Sequence, residues 1–163
     1  MIDSQEILQA LKQRQIDYQV INHPPVYTAA EADQYVQGYN FIKAKNLFLH
    51  AKSSYYLVIL PDDRRLDMKA LRKRLGSGRL SFASDQDLFA KLGIKSGAVS
   101  PFNLLNNHDH DVTVVLDKGI ADQPAQRFGC HPNDNTKTVL LTVADLLSLI
   151  KQWGNPLKIV DCQ

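Results

Sequence analysis

Apolar and polar positions alternate along this chain in patterns that predict a mixture of short helices and strands. Ile7, Leu8 and Leu11 form one apolar stripe after Asp3, which predicts an N-terminal helix capped by that aspartate. Alternating or continuous apolar runs predict strands over 18–22, 46–50, 55–60, 112–116 and 138–141. A further apolar run over 157–160 predicts an edge strand.

Capping residues mark where the remaining helices begin. A Ser or Thr followed three residues later by an acidic residue is a helix start signal. This signal recurs at Thr28 with Glu31, at Ser84 with Asp87 and at Thr142 with Asp145. Asp67 can cap a basic helix over 68–75, which Gly76 would end.

Strands and helices follow one another without strict strand–helix–strand alternation, which favours the α+β class. We therefore expect a mixed β-sheet or partial barrel flanked by helices. The length of 163 residues suits a single domain spanning 1–163.

Composition narrows the setting in which the chain works. Apolar residues make up 44% and charged residues 22% of the chain, as in ordinary globular proteins. No apolar run reaches the roughly 20 residues that a membrane span needs, and the acidic, amphipathic start does not resemble a signal peptide. Cys130 and Cys162 have no framework spacing, so we expect free thiols and a cytoplasmic location.

Positive charge is concentrated in one segment although the net charge is only +2. A phosphate backbone could meet such a cluster, and a solvated helix face explains it equally well. The basic residues of this segment are Arg64, Arg65, Lys69, Arg72, Lys73, Arg74 and Arg79.

The chain contains none of the standard catalytic signatures for serine hydrolases, nucleotide-binding loops or zinc peptidases. Cys130 and His131 are adjacent, so a strand would point them to opposite faces and prevent a nucleophile–base pair. His108 and His110, with His131, permit a metal-binding alternative, although their surroundings are typical of a polar turn.

Three segments contain polar groups that the predicted fold does not need for its own stability, and these segments are candidate parts of a site. Lys45-Asn46 stands directly before the apolar run 47–49, and Gly97 to Pro101 is a loop whose N–H groups could hold a carbonyl oxygen. The third segment, 131–138, is dense in hydrogen-bonding side chains. Each segment is also compatible with a solvated strand end or an ordinary turn.

Four motifs in this order resemble a known family. They are HPPVYTAAEA, KNLFL, GAVSP with Phe102, and HPNDNTKT. Together they are similar to the YbaK and prolyl-tRNA synthetase-associated editing superfamily over about residues 5–153. The first motif is most similar to the free-standing alanyl-tRNA(Pro) deacylase branch.

The resemblance implies a cofactor-free hydrolase that removes a wrong amino acid, most specifically alanine, from tRNA(Pro). The conserved lysine of the family falls on Lys45, its glycine-to-proline loop on Gly97 and Pro101, and its late histidine on His131. We expect Lys45 to hold the terminal nucleotide, loop N–H groups to stabilise the oxyanion, and Asn46 and His131 to orient the substrate. Other expected substrate contacts are Ala98, Val99 and Ser100, and expected tRNA contacts are Arg72, Lys73 and Arg74.

Other functions remain open at this level. The same chemistry on cysteinyl- or seryl-tRNA(Pro) would leave the motifs unchanged. A non-catalytic tRNA-binding module of the same fold would bind without hydrolysis. Prolyl-tRNA synthetase is a further candidate partner, and neither DNA, a membrane nor a bound metal is expected.

Overall fold

The computed structural model describes residues 2–95 and 97–162. The helices are α1 (Ser4–Gln13), α2 (Ala29–Tyr35), α3 (Met68–Leu75), α4 (Asp85–Leu92), α5 (Lys118–Ala121) and α6 (Val143–Trp153), with a 3₁₀ helix over Pro101–Asn106. The strands are β1 (Gln19–Asn22), β2 (Ala44–Ala51), β3 (Ser54–Pro61), β4 (Ser81–Phe82), β5 (Val112–Asp117), β6 (Arg127–Cys130), β7 (Lys137–Thr142) and β8 (Leu157–Val160).

The described strands form two sheets. The larger one has the order β4-β2-β3-β5-β8, in which β2 pairs antiparallel with β3 and β4, while β3, β5 and β8 are parallel. The smaller one is antiparallel, in the order β1-β7-β6. A single parallel bridge between Ile42 and Phe128 joins the two. The α+β class with a mixed sheet is confirmed, and the described strands do not close a barrel.

Each face of the larger sheet has its own core. On β3, Leu57 and Ile59 pack into a large core that also contains residues of α1, α4, α6, β5 and β7. Tyr56, Val58 and Leu60 point to the other face, where α3 packs. This alternation follows from the period of two along a strand, and it places the basic helix α3 on the opposite side of the sheet from the large core.

The predicted helix starts are confirmed by their caps. Asp3, Thr28 and Ser84 accept hydrogen bonds from the backbone N–H groups of Glu6, Glu31 and Asp87. Asp67 and Thr142 do the same at the starts of α3 and α6. Gly76 ends α3 in the left-handed conformation, as expected for glycine.

Several boundaries differ from the sequence-based expectation. Lys45 lies inside β2 rather than before it, because Ala44 and Lys45 already pair with Pro61 and Leu60 of β3. Residues 101–106 form a 3₁₀ helix that Ser100 caps, so Pro101, which was expected in a loop, begins a helix. Strand β6 (RFGC) and helix α5 (KGIA) were not predicted, since each is short and contains a glycine that interrupts its apolar pattern.

No helix among the described residues is long and apolar enough to cross a membrane.

Candidate active site

A cavity of about 460 Å³ opens where β2 begins, between α2, the loop after α4 and the end of β6. Five of the site residues expected from sequence line it, although they lie far apart in the chain. They are Lys45, Asn46, Gly97, Val99 and His131. The fold therefore brings three separate polar segments to one cavity. Residues 26–28, Asp62, Phe82 and Asp85 also contribute to its wall.

A smaller chamber of about 140 Å³ adjoins this cavity and shares six residues with it: Ala32, Ala44, Asn46, Asp62, Val99 and His131. Its remaining wall is mostly apolar or already paired. That wall comprises Asp33, Val36, Phe41, Lys43, Gly129, Cys130 and Thr138. The two spaces together resemble a wide entrance followed by a small side pocket.

Only some N–H groups of the 97–101 loop are available to a ligand. The Ala98 N–H donates to Lys95 O at 3.3 Å, and the Ser100 N–H donates to Asn103 Oδ1 at 2.6 Å. Pro101 has no N–H. Among the described residues, the N–H groups of Gly97 and Val99 have no hydrogen-bond acceptor, and both residues line the cavity. Gly97 has φ +89°, a conformation that glycine adopts without strain.

The other three loop residues lie away from this cavity wall. Ser100 is buried, and its Oγ donates to His131 O at 2.6 Å. Pro101 is buried as the first residue of the 3₁₀ helix. Ala98 lines a neighbouring surface cavity of about 650 Å³, which shares Val26, Tyr27, Gly97 and His131 with the first. Ser100 therefore ties the loop to the His131 segment instead of presenting its hydroxyl to the cavity.

His131 stands at the junction of the cavity and the chamber. Its Nδ1 lies 2.7 Å from Lys137 O, and because a carbonyl only accepts, Nδ1 carries the proton. Burial, opposed by that hydrogen bond, lowers the pKa of His131, and the nearby His23 lowers it further. The neutral ring then leaves Nε2 as a hydrogen-bond acceptor.

His23 packs next to His131. It is buried, its Nε2 lies 3.0 Å from Thr138 Oγ1, and its ring centroid is 6.0 Å from that of His131. Because this side-chain contact joins residues 115 positions apart, the local sequence pattern around His23 does not indicate it.

Lys45 and Asn46 supply the polar groups without internal partners. Among the described residues, the Lys45 side chain forms no hydrogen bond and no ion pair within 4.0 Å. Asn46 Oδ1 is buried and likewise has no partner in the described part of the chain. A buried acceptor without a partner is uncommon in native proteins, and it suits a site that a ligand completes.

Cys130 lines the chamber, but it is not suited to act as a nucleophile. It is buried, and burial raises the pKa of its thiol far above neutral pH. The thiol therefore stays protonated, and a protonated thiol is a poor nucleophile. Cys130 and His131 therefore do not form a nucleophile–base pair, in agreement with the expectation that adjacent strand residues point to opposite faces.

The basic residues on and near α3 do not form one continuous surface. Lys69, Arg72 and Arg79 line a hollow of about 330 Å³ beside β4, while Lys73 is exposed on α3. Arg74 Nη1 instead donates to Asp161 O at 2.6 Å, which fastens the C-terminal segment to α3.

The alternative metal site does not assemble. Over residues 2–95 and 97–162, no group of three His, Cys, Asp or Glu side chains could hold a metal ion. His108 and His110 are exposed on the turn after the 3₁₀ helix and do not gather with His131.

The structure also reveals cavity residues that the sequence did not single out. Asp62 directly follows the last residue of β3, and it lines both the cavity and the chamber. Tyr27 and Phe82 are exposed by 75% and 62% and lie on the cavity wall. An acidic residue after a strand, such as Asp62, and isolated aromatic residues, such as Tyr27 and Phe82, are common in sequences and do not by themselves indicate a site.

Comparison with known proteins identifies the family. The model of the aminoacyl-tRNA editing domain matches residues 23–149, which includes Lys45, the 97–101 loop and His131. The chain belongs to the aminoacyl-tRNA editing domain family. The resemblance to an editing superfamily and the expected enzyme class, an aminoacyl-tRNA deacylase, are thereby confirmed.

Individual relatives match over nearly the whole chain. The prolyl-tRNA editing protein ProX of Acetoanaerobium sticklandii is 39% identical over 160 residues, covering 96% of each chain. The prolyl-tRNA synthetase associated domain-containing protein 1 of Danio rerio is 34% identical over 148 residues, covering 90% of this chain and 80% of its own. A solved structure of a candidate trans-editing enzyme for prolyl-tRNA synthetase superposes with a TM-score of 0.73 at 21% identity, covering 98% and 96%. This last similarity shows the fold.

Proposed function

We propose that this protein is a free-standing editing enzyme that hydrolyses Ala-tRNA(Pro) in the cytoplasm. The relative ProX carries prolyl-tRNA editing in its name, which supports tRNA(Pro) as the nucleic acid. A synthetase pocket shaped for proline excludes the smaller alanine by only about 1–3 kcal/mol, so a second hydrolytic site is needed. Prolyl-tRNA synthetase is a candidate docking partner, because it is the enzyme that would release the mischarged tRNA.

The observation that carries this proposal is the convergence at the cavity of groups that lack internal partners. An aminoacyl ester requires an anchor for its nucleotide, donors for its carbonyl oxygen, and a small space for its side chain. Lys45 supplies the first, and the Gly97 and Val99 N–H groups supply the second. The chamber of about 140 Å³ supplies the third.

The reaction proceeds by attack of water on the ester carbonyl. The oxyanion that develops accepts hydrogen bonds from the Gly97 and Val99 N–H groups, each worth about 3 kcal/mol in a preorganised site. The free 2′- or 3′-hydroxyl of the terminal adenosine helps to move the proton from the water. The ester C–O bond then breaks, releasing alanine and tRNA.

His131 and Asn46 orient the substrate in this scheme. Neutral His131 presents Nε2 as an acceptor, and Asn46 presents a buried Oδ1. Lys45 attracts the phosphate of the terminal nucleotide as a point charge. Cys130, with its protonated thiol, forms part of the wall and takes no part in the chemistry.

The chamber favours a methyl side chain over a hydroxymethyl one. Thr138 Oγ1 already pairs with His23, and the Asp33 carboxylate already pairs with Lys43 at 3.3 Å. Asn46 Oδ1 and the Asp62 carboxylate also line the chamber and have no partner among the described residues, so a hydroxyl would find acceptors there. The preference for alanine therefore rests on size, because serine adds one heavy atom to be fitted into about 140 Å³.

The acceptor stem reaches the basic surface through β4. Phe82 of this strand lies on the cavity wall, and Arg79, three residues earlier, lies in the hollow with Lys69 and Arg72. Three residues of extended chain span about 10 Å. The 3′ end can thus run from the cavity along β4 while phosphates meet α3.

The test is single-turnover deacylation of Ala-tRNA(Pro) by wild type and by Lys45→Ala. We expect the variant to be slower by about 30-fold or more, because it loses a charged contact with the substrate. Lys158→Ala is the matched control, since this exposed lysine lies on β8 at the opposite edge of the same sheet, and its rate should equal that of wild type. A Lys45→Ala enzyme with the wild-type rate would exclude this cavity as the active site.

A further inference from the structure

Asp62 occupies the junction between the cavity and the chamber. It follows Pro61 at the end of β3, and its backbone N–H donates to Lys43 O at 3.0 Å, which fixes its position at the sheet end. It is one of six residues that line both spaces, and the others are Ala32, Ala44, Asn46, Val99 and His131.

The Asp62 carboxylate has no internal partner. Among the described residues it accepts no hydrogen bond and has no cation within 4.0 Å, whereas the neighbouring Asp33 is paired with Lys43. Burial and the nearby Asp33 and Asp63 raise the pKa of Asp62, opposed by Lys43 and Lys45. A cation bound at this carboxylate would relieve the repulsion.

The charges of the cavity and those of the proposed substrate are complementary. Among the described residues, the cavity has an unpaired ammonium on Lys45 and unpaired carboxylates on Asp62 and Asp85, and of these two acids Asp62 alone also borders the chamber. An aminoacyl nucleotide has one phosphate and one α-ammonium, whose pKa is about 8. With Lys45 assigned to the phosphate, Asp62 is the group that matches the remaining charge.

We propose that Asp62 binds the α-ammonium of the aminoacyl ester and thereby directs the amino-acid side chain into the chamber. This assignment rests on the proposed function. With the ammonium at Asp62 and the carbonyl oxygen at the Gly97 and Val99 N–H groups, the third substituent on the α-carbon faces the chamber that Asp62 borders. Asp62 is then a determinant of recognition for amino acids as a class of acyl group.

The test compares two esters on the same tRNA(Pro): alanyl, and lactyl, in which a hydroxyl replaces the ammonium. Wild type should prefer the alanyl ester, and Asp62→Asn should slow its hydrolysis by about 10-fold while changing lactyl hydrolysis by less than about 2-fold. Asp63→Asn is the matched control, because this neighbouring acid lies outside both linings and should leave both rates unchanged. Asp62→Glu keeps the charge and should keep the alanyl preference.

The outcomes separate this inference from the proposed function. If wild type hydrolyses Ala-tRNA(Pro) and Asp62→Asn slows both esters equally or neither, Asp62 does not bind the ammonium and the editing function stands. If wild type hydrolyses neither ester, the editing function itself is wrong. Loss of the alanyl preference in Asp62→Asn, with the preference kept in Asp62→Glu, supports the inference.

Discussion

Two polar regions of this protein look alike in sequence and differ in how their hydrogen bonds are used. The remote polar turn, residues 106–111, forms a network with α4 and the start of β5. Asn107 alone donates to Lys91 O and Asp111 Oδ1, and accepts from the Val112 N–H and Asn155 Nδ2. At the cavity, the Lys45 side chain, Asn46 Oδ1 and two loop N–H groups have no partner among the described residues.

The contrast teaches that polar density alone does not identify a site, whereas unpartnered groups from separate segments that meet at one cavity indicate one. In the network around the remote turn, the buried Oδ1 atom of Asn155 lacks a partner within the described part and its residue borders another hollow, but the amide nitrogen of Asn155 already donates twice. Such a network stabilises the fold, whereas the unpartnered groups at the cavity are available to a ligand. Matched substitutions in the two regions test this division.

Asn107→Ala should produce the largest effect, and it should act on stability. The change leaves the buried N–H of Val112 and one donor of Asn155 without an acceptor, so we expect a loss of about 3 kcal/mol in the free energy of unfolding. Urea denaturation followed by circular dichroism measures it. The deacylation rate per folded molecule should not change; a lower rate at full stability would mean that the remote turn is part of the site.

Asn46→Ala is the matched asparagine at the cavity, and it should act on the reaction. Removing an acceptor that has no internal partner costs the fold little, so we expect a stability within about 0.5 kcal/mol of wild type. Hydrolysis of Ala-tRNA(Pro) should slow by about 20-fold, because the substrate loses a hydrogen bond in a buried position. A variant that is strongly destabilised but fully active would show that Asn46 stabilises the fold and does not contact the substrate.

His131 should impose an acidic limb on the pH profile. Burial lowers its pKa below the usual 6.5, so the ring is neutral and active above that lowered pKa, and kcat/KM falls as the pH drops through it. We expect a midpoint below 6.5 for wild type. His131→Gln should lose this limb and reduce the rate at pH 7.5 by about 10-fold; the same limb in the variant would assign the titration to another group.

The smallest effect concerns the basic helix. Replacing both Arg72 and Lys73 by alanine should weaken tRNA binding several-fold and reduce the slope of log K against log salt by about 1 to 2. Filter binding of uncharged tRNA(Pro) at several salt concentrations measures it. The control replaces the exposed Lys12 on α1 and the exposed Arg14 directly after it. Equal slopes for the two double variants would remove α3 from the tRNA surface.

Sequence reasoning succeeded where the signal is local. The caps at Asp3, Thr28, Asp67, Ser84 and Thr142 depend on hydrogen bonds three residues away, and all five are present. The helix end at Gly76 is equally local, because a left-handed residue is visible as a glycine.

Features that depend on distant contacts were not predictable in this way. The contact of His23 with Thr138 spans 115 residues, and the bond from Ser100 Oγ to His131 O spans 31. Asp62 belongs to the cavity only because β2 and β3 pair in the observed register. The resemblance to a family anticipated Lys45, Gly97 and His131, but it did not reveal which loop N–H groups are free.

Single-turnover hydrolysis of four esters of tRNA(Pro) tests the central claim most directly. We predict that Ala-tRNA(Pro) is hydrolysed well above the spontaneous rate, that Ser- and Cys-tRNA(Pro) react more slowly, and that Pro-tRNA(Pro) is left intact. Hydrolysis of Pro-tRNA(Pro) as fast as Ala-tRNA(Pro), or no acceleration of any of the four, would contradict an editing site that selects a small amino acid in the chamber beside Lys45 and His131.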